Sequence, residues 1–90
     1  MQLTATPKKK PDYHLEEIDG ELLLYHLHET KIVYCNQTAS LIWHLCDGRR
    51  TIAEIISLLS EAYPESADKM ASDVEETLQH FLESRCIDLL

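Results

Sequence analysis

The run Asn36–Tyr63, NQTASLIWHLCDGRRTIAEIISLLSEAY, decides the fold of this chain, because it carries the boundary signals of two consecutive helices. Asn36 or Thr38 can cap the first helix. Asp47-Gly48 ends it, since glycine adopts the left-handed conformation that closes a helix at no steric cost. Two adjacent lines of apolar side chains predict that this helix is central to the core: Leu41, Ile42 and Leu45 on one line, and Ala39, Trp43 and Cys46 on the other.

Two further helices are predicted after the first. Thr51, with Glu54 three residues on, has the spacing of a capping box that opens the second helix. Tyr63-Pro64 ends that helix, because the residue before a proline avoids helical backbone. Ser66 can cap a third helix. The buried side of the third helix is marked by apolar residues at helical spacing: Met70, Val74, Leu78, Phe81 and Leu82.

Three strands are predicted ahead of the helices. Tyr13–Ile18 and Glu21–Leu27 flank Asp19-Gly20, a dipeptide typical of two-residue hairpin turns. Lys31–Cys35 has the β-branched and aromatic content of a third strand. The chain is therefore predicted to be a single α+β domain, winged-helix-like, with a three-stranded antiparallel sheet followed by three helices.

Composition and charge narrow the range of functions. The chain has 90 residues, enough for one modest core, and a formal net charge of −8. Nucleic acids and anionic membrane surfaces are bound mainly through Lys and Arg, so this charge disfavours both kinds of partner. A chain of this size favours a binding module over an enzyme with a deep catalytic pocket.

The first eleven residues differ in character from the rest. They are polar and include Lys8-Lys9-Lys10, so we expect a flexible N-terminal tail at residues 1–11 and a folded domain at residues 12–90. The segment lacks the apolar stretch of a secretion signal, and no apolar run is long enough to cross a membrane. Cysteines without Cys-x-x-Cys spacing suit a reducing compartment, so a cytoplasmic location is expected.

No group of residues in the sequence predicts catalysis, a metal or a cofactor. Cys35, Cys46 and Cys86 each lie in an apolar run, where a cysteine serves as a small buried hydrophobe. His26 and His28 are two apart on a predicted strand and could form a metal pair. No third and fourth ligands have zinc-site spacing, so both histidines are expected to face solvent. We therefore predict no catalytic residue, no metal ligand and no cofactor.

Lys31–Cys35 is the segment that most suggests a binding function. In a three-stranded meander it is an edge strand, with N–H and C=O groups unpaired along one side. It contains no proline and a single charge, which is poor protection against further pairing. An extended peptide can add to such an edge, with backbone hydrogen bonds giving affinity and alternate side chains giving specificity. The alternative is an edge covered by a helix or by the C-terminal residues.

The helix pair also carries a family resemblance. Its Asn-x-Thr-Ala opening, Ile-Trp-x-Leu-Cys-Asp-Gly centre and Arg-Thr-Ile-x-Glu-Ile restart resemble the PqqD-like proteins, small modules that recognise precursor peptides in the biosynthesis of ribosomally made, modified peptides. The resemblance runs from about Tyr13 to the C-terminus. It implies that a leader peptide docks as a strand on the third strand, in the cleft beside the third helix.

Matched onto this chain, the resemblance implies a set of peptide-binding residues on two elements. They are Lys31, Ile32, Val33, Tyr34 and Cys35 on the strand, and Lys69, Met70, Asp73, Val74 and Thr77 on the helix. Proteins of this family have no catalysis of their own and deliver the peptide to a modifying enzyme, often a radical-SAM enzyme or a leader peptidase. The family often has Leu before the helix-opening Asn, where this chain has Cys35.

The predicted function is that of a non-catalytic protein that captures a leader peptide by strand addition. The sequence suggests Val33→Pro as a test of strand addition, because proline removes a backbone donor. Two other functions stay open: a small structural or regulatory subunit of a larger enzyme, and, less favoured because of the acidic second helix, a winged-helix nucleic-acid binder. An unpaired edge also permits a homodimer.

Overall fold

The computed structural model describes residues 1–90, which form two small sheets and three α-helices. The strands are β1 (Pro7–Lys9), β2 (Tyr13–Ile18), β3 (Glu21–His26), β4 (Ile32–Cys35) and β5 (Ile87–Leu89). The helices are α1 (Gln37–Leu45), α2 (Ile52–Ala62) and α3 (Ala67–Glu83), with a short 3₁₀ turn at Pro64–Ser66. The predicted α+β architecture, a three-stranded antiparallel sheet followed by three helices, is confirmed.

The main sheet consists of β2, β3 and β4 in that order, antiparallel throughout. Asp19 and Gly20 join β2 to β3 with φ angles of 52° and 82°. Two consecutive positive φ angles are the backbone of a type I′ turn, the turn that this dipeptide favours. Because β3 is central, β2 and β4 are the two edges of the sheet.

The first two helices begin at the residues that the sequence indicates. The Asn36 side chain accepts a hydrogen bond from the Ala39 N–H at 2.7 Å and caps α1. Thr51 and Glu54 make both bonds of the capping box at α2. Ser66 occupies the capping position of α3 but makes no side-chain capping bond. The reason is that Ser66 belongs to the 3₁₀ turn and lacks the extended backbone that a capping side chain needs.

A single apolar core lies between the main sheet and the three helices. Trp43 is 4% exposed, and its ring packs edge-on against Tyr13 and Phe81 with centroids 6.2 and 5.7 Å apart. The buried residues of α1 are Ile42 and Trp43, and Cys46 just after the helix is also buried. Ala39 and Leu45 are partly buried against the core, whereas Leu41 lies at the surface. Trp43 is thus a core residue, as the apolar character of α1 predicted.

The N-terminal segment differs from the expected flexible tail at residues 1–11. β1 pairs antiparallel with β5, and Pro7 is buried. The carbonyls of Leu3 and Ala5 accept hydrogen bonds from the N–H groups of Ala53 and Ile52, at 3.0 and 2.9 Å. Those donors belong to the first turn of α2, which has no partners for them within the helix. The segment therefore supports the start of α2.

Two lysines of the run Lys8-Lys9-Lys10 contact residues that are distant in the chain. The Lys10 ammonium lies 3.7 Å from the Asp88 carboxylate, and the Lys9 ammonium lies 5.9 Å from the centre of the Trp43 ring. An opposite charge and an aromatic face both favour an ordered cation. No helix of the chain combines the length and the apolar character needed to cross a membrane.

Candidate functional site

β4 offers a free backbone edge. Its one strand neighbour is β3, and the carbonyl of Lys31, just before β4, accepts a hydrogen bond from the His26 N–H at 3.2 Å. Because hydrogen-bonded pairs alternate along an antiparallel ladder, Val33 and Cys35 also direct their N–H and C=O groups toward β3. The N–H and C=O groups of Ile32 and Tyr34 therefore point away from the sheet, toward the open edge.

Side chains along β4 alternate in the same register. Val33 and Cys35 are buried in the core, whereas Ile32 and Tyr34 lie on the outer face of the sheet, 57% and 70% exposed. The C-terminal residues do not cover this edge, because Ile87–Leu89 pairs with β1 in the other sheet. The edge thus presents two residues whose backbone and side chains are both accessible.

Lys31 fastens the start of β4 to the end of α3. Its ammonium donates a hydrogen bond to the Ser84 carbonyl and lies 5.7 Å from the centre of the Tyr13 ring. Ser84 directly follows the last residue of α3, where carbonyls lack partners within the helix and a cation is favoured. This contact holds the end of α3 against the beginning of β4.

The other end of β4 meets the middle of α3. A polar depression there is lined by residues from the start of α1 and from α3: Asn36, Thr38, Asp73, Glu76 and Thr77. Since the start of β4 contacts the end of α3, the two elements run in opposite directions. Asp73, Thr77 and Ser84 recur at helical spacing on one flank of α3, with His80 between them.

The two sides of this groove have the same length. From Lys31 to Asn36 the strand advances about 16 Å, at roughly 3.3 Å per residue. From Asp73 to Ser84 the helix also advances about 16 Å, at roughly 1.5 Å per residue. β4 and this flank of α3 therefore run side by side over a length that matches an extended segment of about five residues.

The residues that the resemblance implied divide into two groups. Six are accessible along the groove or beside it: Lys31, Ile32, Tyr34, Lys69, Asp73 and Thr77. The other four belong to the core, so their side chains do not line the groove: Val33, Cys35, Met70 and Val74. Met70 and Val74 are 3% and 0% exposed, because they lie on the apolar line of α3 that also includes Leu78 and Phe81.

Sequence reasoning missed two residues of this groove, Asn36 and Thr38, which were considered only as helix caps. They gave no further signal, because their place beside α3 depends on the packing of α1. Glu76, three residues from Asp73 at helical spacing, also lines the depression, although the resemblance did not imply it as a contact.

The three cysteines have raised thiol pKa values. Burial raises the pKa of Cys46 to about 12, with the ammonium of Lys9 acting in the opposite direction. Burial also raises the pKa values of the Cys35 and Cys86 thiols. A reactive cysteine needs a lowered pKa and access to solvent. These thiols therefore have the chemistry of core side chains.

His26 and His28 do not share a solvent-facing side, so the prediction that both face solvent is wrong for His26. Its ring packs edge-on against Tyr13 at 4.9 Å, on the core side of the sheet. The Nδ1 atom of His26 accepts hydrogen bonds from the His28 and Glu29 N–H groups, each at 3.0 Å. His28 lies beyond the end of β3, in the turn, with Nε2 3.6 Å from the Asp12 carboxylate. No group of three or more His, Cys, Asp or Glu side chains gathers in a way that could hold a metal ion.

Comparison with known proteins assigns the chain to a family. The family model described as coenzyme PQQ synthesis protein D (PqqD) matches residues 21–87, which include β4 and all three helices. The chain belongs to the PqqD family. No solved structure matches the chain significantly.

Curated relatives of the PqqD family align with almost the whole chain. The PqqA binding protein of Klebsiella pneumoniae is 33% identical over 89 residues, covering 96% of this chain and 88% of the relative. The PqqA binding protein of Pseudomonas syringae is 31% identical over 85 residues, covering 94% and 89%. The PqqA binding protein 1 of Pseudomonas putida is 34% identical over 76 residues, covering 81% and 79%.

Proposed function

We propose that this chain captures the leader segment of a precursor peptide by β-strand addition to β4 and presents it to a modifying enzyme, a radical-SAM enzyme or a leader peptidase. The observation that carries this proposal is the open edge of β4, where the backbone groups of Ile32 and Tyr34 point away from the sheet. The relatives named PqqA binding protein support a peptide as the ligand. The recognition domain comprises residues 12–90, and the N-terminal segment supports it by pairing with β5 and by contacting α2.

Strand addition suits the shape of the groove. An extended peptide beside β4 receives N–H and C=O partners from Ile32 and Tyr34, which give affinity for any backbone. Its side chains point alternately to the outer face, beside Ile32 and Tyr34, and into the groove, toward Asp73 and Thr77 of α3. The outer positions have apolar neighbours, and the groove positions have polar ones. This alternation provides selectivity in addition to the backbone bonds.

A role in delivery rather than catalysis agrees with the chemistry of the side chains. The thiols are buried with raised pKa values, as described above, so none is suited to act as a nucleophile. The three cysteines are free, which supports a reducing, cytoplasmic setting. The enzyme that receives the peptide supplies the reaction.

Peptide binding is tested by titrating ¹⁵N-labelled protein with a synthetic leader peptide of any short precursor encoded beside this chain. We expect amide shifts concentrated on Ile32 and Tyr34 and on the α3 flank from Asp73 to Thr77. Shifts confined to β2 or α2 would refute strand addition at β4, and an absence of shifts would refute leader binding. Presentation is tested by adding the chain to the modifying enzyme and its precursor, where the rate of modification should rise.

A further inference from the structure

The turn between β3 and β4, residues 27–31, is organised by the side chain of a histidine. The turn contains no glycine, proline, asparagine or aspartate, the residues that usually shape a turn. Instead, the Nδ1 atom of His26 accepts hydrogen bonds from the N–H groups of His28 and Glu29, each at 3.0 Å. Asparagine and aspartate side chains shape turns by accepting from N–H groups just downstream, and His26 has the same role here.

Contacts with β2 and β4 hold His26 in place. Its backbone N–H donates to the Lys31 carbonyl at 3.2 Å, which closes the turn. Its ring packs edge-on against Tyr13 of β2, with centroids 4.9 Å apart. The next N–H, that of Leu27, donates to the Asp12 carbonyl at 2.8 Å. The imidazole therefore connects the end of β3 to the place where β4 begins.

Only a neutral imidazole makes both bonds to the turn. The Nδ1 atom accepts through its lone pair, and a proton on this atom converts it into a donor that faces two N–H groups. Histidine is the side chain that ordinarily changes charge between about pH 5 and pH 8. Protonation of His26 thus replaces two attractive contacts with repulsive ones, and the turn loses its acceptor.

The charged groups around His26 come from every element packed against it. Besides the Tyr13 phenol, they are Lys10, Asp12, His28, Glu29, Lys31 and Arg85. Three are permanent cations and two are carboxylates, so their charges come close to cancelling. The other histidine, His28, has its own carboxylate neighbour, with Nε2 3.6 Å from Asp12. The main effect of a proton on His26 is therefore the loss of the acceptor.

We propose that His26 is a positioning residue for β4: in its neutral form it orders the turn that starts this strand, and its protonation loosens the turn and weakens peptide binding. The effect on binding rests on the strand addition proposed above. The turn directly precedes Ile32, whose N–H and C=O groups face the open edge, so a loosened turn frays the edge from that end. Affinity for a leader peptide is then highest at neutral pH and falls as the solution becomes acidic.

The test begins with the free chain and three variants. His26→Asn keeps a side-chain acceptor for the same N–H groups but has no charge to gain. His26→Leu keeps an apolar contact with Tyr13 but has no acceptor. The matched control, His28→Asn, removes the other histidine of the turn. The His26 ring, the amides of His28 and Glu29 and the backbone order of residues 27–32 are followed by NMR titration and ¹⁵N relaxation, from about pH 8 to about pH 5.

The expected results separate the acceptor from the bulk of the ring. In the natural chain and in His28→Asn, the turn amides should shift together with the His26 ring, and the order of the turn should fall at the acid end. His26→Asn should keep the turn ordered at every pH, and His26→Leu should leave it mobile at every pH. A His26→Leu turn as rigid as the natural one, or an equal response to pH in His26→Asn, would overturn the positioning role.

Peptide affinity is then measured on the same proteins with the synthetic leader peptide of the preceding section. The natural chain should bind about three- to tenfold more weakly at about pH 5.5 than at about pH 7.5, the change expected when one or two hydrogen bonds are lost. His26→Asn should lose clearly less. Because His26→Asn retains His80 and binds the same peptide, the comparison also corrects for the titration of both.

The two measurements distinguish the failure of each level. If the turn loosens with His26 while the affinity stays constant, the effect on binding is wrong, and strand addition stands. If the leader peptide leaves the β4 amides unshifted at both pH values, strand addition is wrong and the effect on binding falls with it. The relaxation data on the free chain decide the role of His26 in the turn in either case.

Discussion

Replacing Tyr34 with proline should weaken peptide binding while leaving the fold intact. The Tyr34 N–H points to the open edge and makes no bond to β3, so proline removes a donor that the folded chain does not use. Proline is tolerated on edge strands in this orientation. The Tyr34 side chain is largely exposed, so the free energy of unfolding should fall by less than about 1 kcal/mol.

The expected loss of binding follows from the bond that disappears. In the proposed complex, the Tyr34 N–H donates to a carbonyl of the docked peptide, and such a bond contributes roughly 0.5–1.5 kcal/mol net. A carbonyl left without a donor costs about 1–3 kcal/mol when it is shielded from water. The dissociation constant should therefore rise about 5- to 150-fold. Tyr34→Val is the matched control, because it also removes the ring but keeps the N–H and a β-branched side chain.

Val33→Pro, the mutation that the sequence suggested, tests the stability of the sheet and not the bonds at its free edge. The Val33 N–H belongs to the ladder with Leu24 of β3, and the side chain is buried. Proline there should destabilise the sheet by about 3 kcal/mol or more, so lost binding would reflect lost structure. Isothermal titration with the leader peptide and urea unfolding should be measured on all three variants. Equal affinities for Tyr34→Pro and Tyr34→Val would refute the edge-bonding geometry.

Three further predictions concern the fold. Deletion of residues 1–10 should lower the free energy of unfolding by roughly 2–4 kcal/mol in urea, since it removes β1 and the acceptors for α2, and deletion of residues 1–2 is the control. Backbone hydrogen bonds from Arg49 and Arg50 lower the pKa of Asp47 below its ordinary value of 3.8, so its stabilisation is complete above that pH and is lost as the pH falls through the folded-state pKa. Asp47→Asn should flatten the acid limb of the stability profile, and an unchanged limb would contradict this. Cys46 and the other two thiols should react with a thiol reagent at pH 8 only after unfolding, because all three are buried, and rapid labelling of the folded chain would contradict their burial.

Features whose bonds are local could be predicted from the sequence. The Asp19-Gly20 turn and the capping box of Thr51 and Glu54 are built from residues within three positions of one another, so their signals are complete in a short window. β1 could not be predicted in this way. Its strand partner is at the other end of the chain, and Lys9 reaches the His44 carbonyl 35 residues away.

The candidate groove was predictable as an edge strand beside a helix, but its lining was not. The rotation of α3 about its axis decides which side chains face β4, and no short-range pattern reports that rotation. The apolar spacing of α3 did mark Met70 and Val74 as core positions, which conflicts with their assignment as peptide contacts. For Met70 and Val74 the hydrophobic spacing was a better guide than the family resemblance, since burial follows directly from the spacing.

The alternation along β4 also bears on how this family can diversify. Val33 and Cys35 hold the strand to the core, and Ile32 and Tyr34 face outward with their backbone at the free edge. Under the proposed strand addition, substitutions at the outward pair change ligand preference with little effect on stability, so mutational drift or a two-position library can search new specificities on an unchanged scaffold. The inward pair tolerates few exchanges, because each must fit a packed interior. A strand of four residues thus separates the part of the molecule that can adapt from the part that must be kept.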